Sequence, residues 1–225
     1  MAVDVVEIDV VSDVMCPWCY IGKRRLEKAL KLIPQDIEVK ITWRPFQLDA
    51  RIEPTGRDRK TYLEQKFGSE EGIAQVYDPI AKSGKEEGLE FNLEGIQVSP
   101  NTFDCHRLLH WADIEGVQNE LAELLFKAYF IDAKDLTKNE TLVALAVEAG
   151  MDGEVTKRLL ESDADKEEVQ SEIDKYRQMG VQSVPTMLIG KKYAVMGARD
   201  DKTIAEVIEG VHQERLAERA EASVH

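Results

Sequence analysis

The sequence predicts an α/β fold in which a sheet domain, drawn from both ends of the chain, is interrupted by a large all-helical insertion. Three observations carry this. Val/Ile-rich alternating segments stand near both ends, helical patterning fills the middle, and no internal repeat or Ser/Gly-rich linker divides them. With 225 residues, 43% of them apolar, the chain can bury a sizeable core.

Glu7 to Val11 alternates acidic and apolar residues and reads as a first strand, broken by Ser12 and Asp13. From Pro17 to Ile33, Trp18, Ile21, Leu26, Ala29, Leu30 and Ile33 recur at helical spacing, and Pro34 ends the run. Ile37 to Phe46 alternates again, with Ile37, Val39, Ile41 and Trp43 against charged or polar neighbours, so a second strand completes a parallel β-α-β unit. Residues 58–180 read as helical apart from a loop at Phe91 to Pro100. Starts are expected at Ser69-Glu70-Glu71 and at a Thr137-x-x-Glu140 capping box, and stops at Gly84, Gly116, Gly150 and Gly180. Thr186 to Ile189 and Tyr193 to Met196 then read as two strands around a Gly190-Lys191 turn. Asp200 or Asp201 caps a last helix running to about Arg219. The sheet domain is thus placed at 1–50 and 181–225, and the helical insertion at 51–180.

A net charge of −14 repels nucleic acid and anionic lipid, and no apolar stretch reaches the length of a membrane span. Neither partner is expected. Met1-Ala2-Val3-Asp4 lacks a basic leader, and Asp4, Glu7 and Asp9 interrupt the apolar run a secretory signal would need, so a cytoplasmic location is expected. The three cysteines, at 16, 19 and 105, are too few for a disulfide-stapled scaffold. In a reducing compartment a close pair does redox chemistry or binds metal.

Cys16 and Cys19 lie three apart on the first turn of a helix, on one face and at a separation suited to reversible disulfide closure. The helix N-terminus presents unpaired N–H groups and partial positive charge to Cys16, which favours thiolate and makes it the expected nucleophile. Cys19, one turn further in, is the expected resolving cysteine. Pro17 sits where a helix tolerates proline best, and Trp18 adds an apolar face beside the sulfur as a substrate contact. Half a zinc site has the same C-x-x-C form, with Cys105, His106 and His110 as candidate further ligands, but no second C-x-x-C follows. No metal and no bound cofactor are expected; the redox-active Cys16–Cys19 disulfide carries the chemistry.

The motif at a strand-to-helix junction, the helical insert and the late Val184-Pro185-Thr186 resemble the DsbA family of the thioredoxin superfamily. Its FrnE-like members are closer still. The residues that carry this are Ser12-Asp13-Val14-Met15-Cys16-Pro17-Trp18-Cys19-Tyr20-Ile21-Gly22-Lys23, Trp43-Arg44-Pro45-Phe46, His106-Arg107-Leu108-Leu109 and Ser183-Val184-Pro185-Thr186, spread over nearly the whole chain. The resemblance implies a thioredoxin-like fold with a large helical insertion and an enzyme of the protein disulfide oxidoreductase or isomerase type. It also implies a cis Pro185 against the cysteine pair, with the Val184 backbone pairing an extended substrate. Partners would be protein or low-molecular-weight thiols and disulfides, with glutathione as one thiol partner and a homodimer left open. The dipeptide Pro-Trp differs from the Gly-Pro of thioredoxins and the Pro-His of the periplasmic oxidant. A related reading is a glutathione-dependent enzyme of the 2-hydroxychromene-2-carboxylate isomerase or kappa-class transferase type, in which serine usually stands where Cys16 is.

Four further residues carry weaker signals. Cys105 reads as a small buried filler at a helix start, with a second redox thiol as the alternative. His106 and His110 share a helix face at ligand spacing, but helix packing and polar contacts explain them as well. Asp13 is either a proton acceptor near the cysteines or a residue of turn and cap geometry.

Overall fold

In the computed structural model, which describes residues 5–222, alternation along the first segment becomes strand β1 (Val5–Ser12). Val6, Ile8 and Val10 of that strand are all but inaccessible. The leader reading rests in part on residues 1–4, which lie outside the described range. Helix α1 (Pro17–Leu32) crosses back so that β2 (Glu38–Pro45) pairs parallel with β1, Ile8 opposite Ile41 and Val10 opposite Trp43. Strand β1 does not break at Ser12: Ser12 pairs with Pro45, and its carbonyl accepts from the Phe46 amide at 3.0 Å.

Between the two halves of the sheet run helices α2 (Arg59–Phe67), α3 (Glu70–Glu86), α4 (Phe103–Glu115), α5 (Gln118–Phe130), α6 (Asn139–Ala149), α7 (Gly153–Leu160) and α8 (Lys166–Gln178). The expected loop before α4 also holds a two-residue ladder, since Arg57–Asp58 (β3) pairs antiparallel with Val98–Ser99 (β4). Two helix boundaries differ from expectation. Glycine 84 does not stop α3: a Cβ there would lie 2.6 Å from the Phe91 ring, so Gly84 is interior and admits that ring, and the chain turns at Gly88 with φ +76°. Thr137 does not cap α6, because its amide and hydroxyl bond to Asp135 Oδ1 at 2.9 and 2.7 Å, leaving Lys138 at the cap. Of the two expected caps of the last helix, Asp200 fills the role, accepting from the Thr203 amide at 2.9 Å.

The chain returns through β5 (Thr186–Ile189), antiparallel to β1, and β6 (Tyr193–Met196), antiparallel to β5, giving the order β2-β1-β5-β6. Helix α9 (Asp201–Ala222) packs beside α1, burying Ile204, Ile208 and Val211. One buried cluster runs from the β1 valines through Cys19 and Tyr20 into α5. Tyr20 stacks on Phe126 at 5.1 Å, and Trp43 meets Phe126 edge-on at 5.8 Å, joining the sheet, α1 and the insert. Around that seam Tyr20 donates to Glu123 at 2.7 Å, and Lys23 and Arg24 both pair with the same carboxylate. At the outer edge of β2 the Gln118 side chain accepts from the Trp43 amide at 2.8 Å and donates to its carbonyl at 3.0 Å. Among the described residues no helix is long and apolar enough to cross a membrane.

Candidate active site

Strand β1 ends beneath the first turn of α1, and the sequence there dictates a tight entry. Cys16 is the N-cap in extended conformation, its amide bonded to the Asp13 carbonyl at 3.0 Å, and Pro17 opens the helix. The Cys19 amide then bonds to the Cys16 carbonyl at 3.0 Å, which fixes both cysteines on one turn. All three cysteines are free thiols. Cys16 and Cys19 are buried, whereas Pro17 and Trp18 are half-buried beside them.

Val184 and Pro185 come to the same place from the other end of the chain. The Val184–Pro185 peptide is cis, and the Cys16 thiol donates to the Val184 carbonyl at 3.6 Å. Gly22 lets this happen: a Cβ there would stand 3.0 Å from Pro185 Cγ. The six residues singled out by motif thus form two groups in contact, Cys16 to Cys19 on α1 and Val184-Pro185 ahead of β5. Two sulfurs on one helix turn beside an extended backbone carbonyl can form a disulfide, and can present one sulfur to a strand-like partner.

Burial pushes the Cys19 thiol well above its ordinary range, and the neighbouring Cys16 sulfur adds to this. The nearby polar groups of Ser12 and of the Asp13 backbone pull the other way. Asp13 is fully buried, and its carboxylate is taken by turn amides: Leu48 donates to Oδ2 at 2.7 Å and Met15 to Oδ1 at 3.4 Å. His106 Nε2 lies 3.6 Å from Oδ1 and 2.9 Å from the Phe46 carbonyl, which places a proton on Nε2. His110 gathers with Asp165 and Glu168 rather than with His106, their ligand atoms all within 4.8 Å, but Asp165 already accepts the Trp111 indole N–H at 2.8 Å. Cys105 is inaccessible in α4, and burial pushes its thiol upward.

Residues 7–209 match the model of the DSBA-like thioredoxin domain. The chain belongs to that family. This DSBA-like protein is 29% identical over 191 residues to the uncharacterized protein YwbO of Bacillus subtilis, covering 82% of this chain and 87% of YwbO. Its fold superposes on a probable DsbA oxidoreductase of Streptomyces coelicolor, SCO1869, with a TM-score of 0.85 at 31% identity, covering 93% and 91% of the two chains. The cytosolic disulfide reductase DsbM of Pseudomonas aeruginosa, solved with GSH, shares the fold at a TM-score of 0.60 and 14% identity, over 95% and 99% of the chains. The thioredoxin-like fold with a helical insertion is the fold of this DSBA-like chain.

Proposed function

We propose that the protein is a thiol-disulfide oxidoreductase acting on protein or small-molecule thiols and disulfides through Cys16 and Cys19. The observation that carries this is the pair of sulfurs on the first turn of α1, with the Cys16 thiol set against the Val184 carbonyl. Cys16, at the positive end of the helix, attacks a substrate disulfide and forms a mixed disulfide, releasing one substrate thiol. Cys19 then displaces the second, leaving Cys16–Cys19 oxidised; the reverse sequence oxidises a dithiol. The backbone at Val184 holds the partner as an added strand, and Pro17, Trp18 and Pro185 supply apolar contact. Kinship to the S. coelicolor oxidoreductase supports the reading, as does the presence of sulfur rather than a hydroxyl at position 16. Within the family we place the chain with the FrnE-like members, and in the cytoplasm, where so few cysteines serve chemistry rather than architecture.

The test is a redox titration in glutathione buffers, with thiol trapping and mass spectrometry to locate each disulfide. One two-electron transition confined to Cys16 and Cys19, and loss of exchange in Cys16→Ser, are expected. Saturable glutathione binding with catalysis that survives loss of Cys19 would replace this reading by the glutathione-dependent isomerase.

A further inference from the structure

The chain leaving β2 and helix α2 enclose a cavity of about 340 Å³, walled by Leu48 and Tyr62 and by four charged side chains, Asp49, Arg51, Arg57 and Lys66. The Asp49 carboxylate is taken by Arg51, whose Nε and Nη2 lie 3.0 and 3.3 Å from its two oxygens. The other two cations have no carboxylate partner among the described residues. Arg57 donates to the Arg51 carbonyl at 3.3 Å, and Lys66 to the Tyr62 hydroxyl at 3.1 Å. Both are held in place, Arg57 by its ladder pairing with Ser99 and Lys66 by the Tyr62 ring, whose centroid is 5.3 Å from Nζ. In a chain of net charge −14, whose field repels anions at long range, this concavity has an excess of two positive charges.

The cavity adjoins the redox turn. The Leu48 amide donates to Asp13 Oδ2 at 2.7 Å, and the Asp13 carbonyl accepts from the Cys16 amide at 3.0 Å, so two hydrogen bonds tie the cavity wall to the nucleophile. A partner that reaches both places must run from Cys16 across Leu48 to α2. An extended polypeptide does so at about 3.3 Å per residue, and an extended backbone is what the Val184 carbonyl accepts.

We propose that this cavity binds an acidic side chain of a polypeptide substrate, close in sequence to the cysteine that Cys16 attacks, and so selects acidic sequences around the disulfide. This rests on the oxidoreductase reading above. In the step concerned, the Cys16 thiolate attacks one sulfur of the peptide disulfide. The Cys16–peptide S–S bond forms as the peptide S–S bond breaks, and the departing sulfur takes the electron pair and a proton from water. Arg57 and Lys66 touch no reacting atom; they pair with the substrate carboxylate and act on encounter and binding.

The probes are two homodimeric peptide disulfides, each joined through a central cysteine and differing only in whether glutamates or glutamines flank it. Release of peptide thiol by the reduced protein is followed by acid quench and mass spectrometry. Each rate is divided by that with free dithiothreitol, which removes the intrinsic reactivity of the peptide. The glutamate peptide should react roughly tenfold faster than the glutamine peptide at low salt, and the ratio should approach one in Arg57→Gln/Lys66→Gln and in about 1 M salt. Equal rates for the two peptides in the wild type overturn the acidic subsite alone, as does a preference that the double variant or high salt leaves intact. So does a tenfold fall with glutathione disulfide in the double variant while the peptide ratio stays put, which makes a small anion the occupant. A wild-type protein that exchanges with none of these disulfides overturns the subsite and the oxidoreductase reading together.

Discussion

Arg107 is fully buried in α4, and nearly every donor on its guanidinium is used. It bonds to the carbonyls of Leu159 at 2.7 Å, Ser162 at 2.9 Å and Ala164 at 2.8 and 3.0 Å, and to Asp104 Oδ1 at 2.8 Å. The residue therefore fastens the α7–α8 connection to α4. In Arg107→Ala the Leu159 carbonyl keeps the Ser162 hydroxyl at 2.8 Å, but the Ser162 and Ala164 carbonyls lose their charged donor. Two such losses at roughly 1–3 kcal/mol each, softened by water entering the vacated space, give a destabilisation of about 3 kcal/mol. Arg107→Lys retains a charge and three donors and should lose about half as much. Urea unfolding followed by circular dichroism measures both, with the slope against denaturant unchanged. An alanine variant within about 0.5 kcal/mol of the wild type, the range of an ordinary surface change, would refute the reasoning. So would a lysine variant as unstable as the alanine one.

Three other outcomes follow from particular contacts. Gly22→Ala adds a methyl 3.0 Å from Pro185 Cγ and 3.7 Å from Met187 Cε; helix propensity favours it by about 1 kcal/mol, overpacking opposes it by about 1–3. Melting should show net loss of about 1 kcal/mol and exchange assays a slower rate, whereas unchanged values in both contradict the packing. Burial alone would raise the Glu123 carboxyl, but hydrogen bonds from Arg24 and Tyr20 and the charge of Lys23 outweigh it and hold the group below its ordinary value of 4.5. Because the folded value is the lower one, the stabilisation is present above pH 4.5 and is lost as pH falls through the folded value. Glu123→Gln should therefore flatten stability against pH in that acid range, and an unchanged slope there would count against the network. Cys105, buried and with its thiol pushed up, should resist alkylation until the protein unfolds. Cys105→Ala should cost about 1 kcal/mol and leave the two-electron titration intact; labelling of Cys105 in the native protein would show the site to be open.

Long periodic segments wrote themselves plainly in the sequence. Strands β5 and β6 match their expected bounds, because alternation over four residues between Pro185 and Gly197 leaves little freedom. Glycines 116 and 150 end helices as expected because each takes a left-handed conformation that other residues avoid. Gly84 looks the same in sequence, yet it serves a ring from seven residues away, a demand that no local pattern displays. Ladder β3–β4 is two residues long on each side, too short for any period to register. At the site, spacing alone places Cys16 and Cys19 on one turn, and Val184-Pro185 is marked by the motif. The Asp13–His106 contact joins residues far apart in the chain through a buried turn and has no spacing to read.

Gln118 changes how the sheet as a whole behaves. A parallel strand at the margin of a sheet carries a row of vacant donors and acceptors that a foreign strand can occupy. At Trp43 both outward groups of β2 are already held by one side-chain amide, itself buried and also bonded to the Leu109 carbonyl. The amide mimics a neighbouring peptide unit and terminates the ladder from within. A strand approaching the β2 margin finds both outward groups of Trp43 already engaged, so growth of the sheet by self-association is opposed at that point.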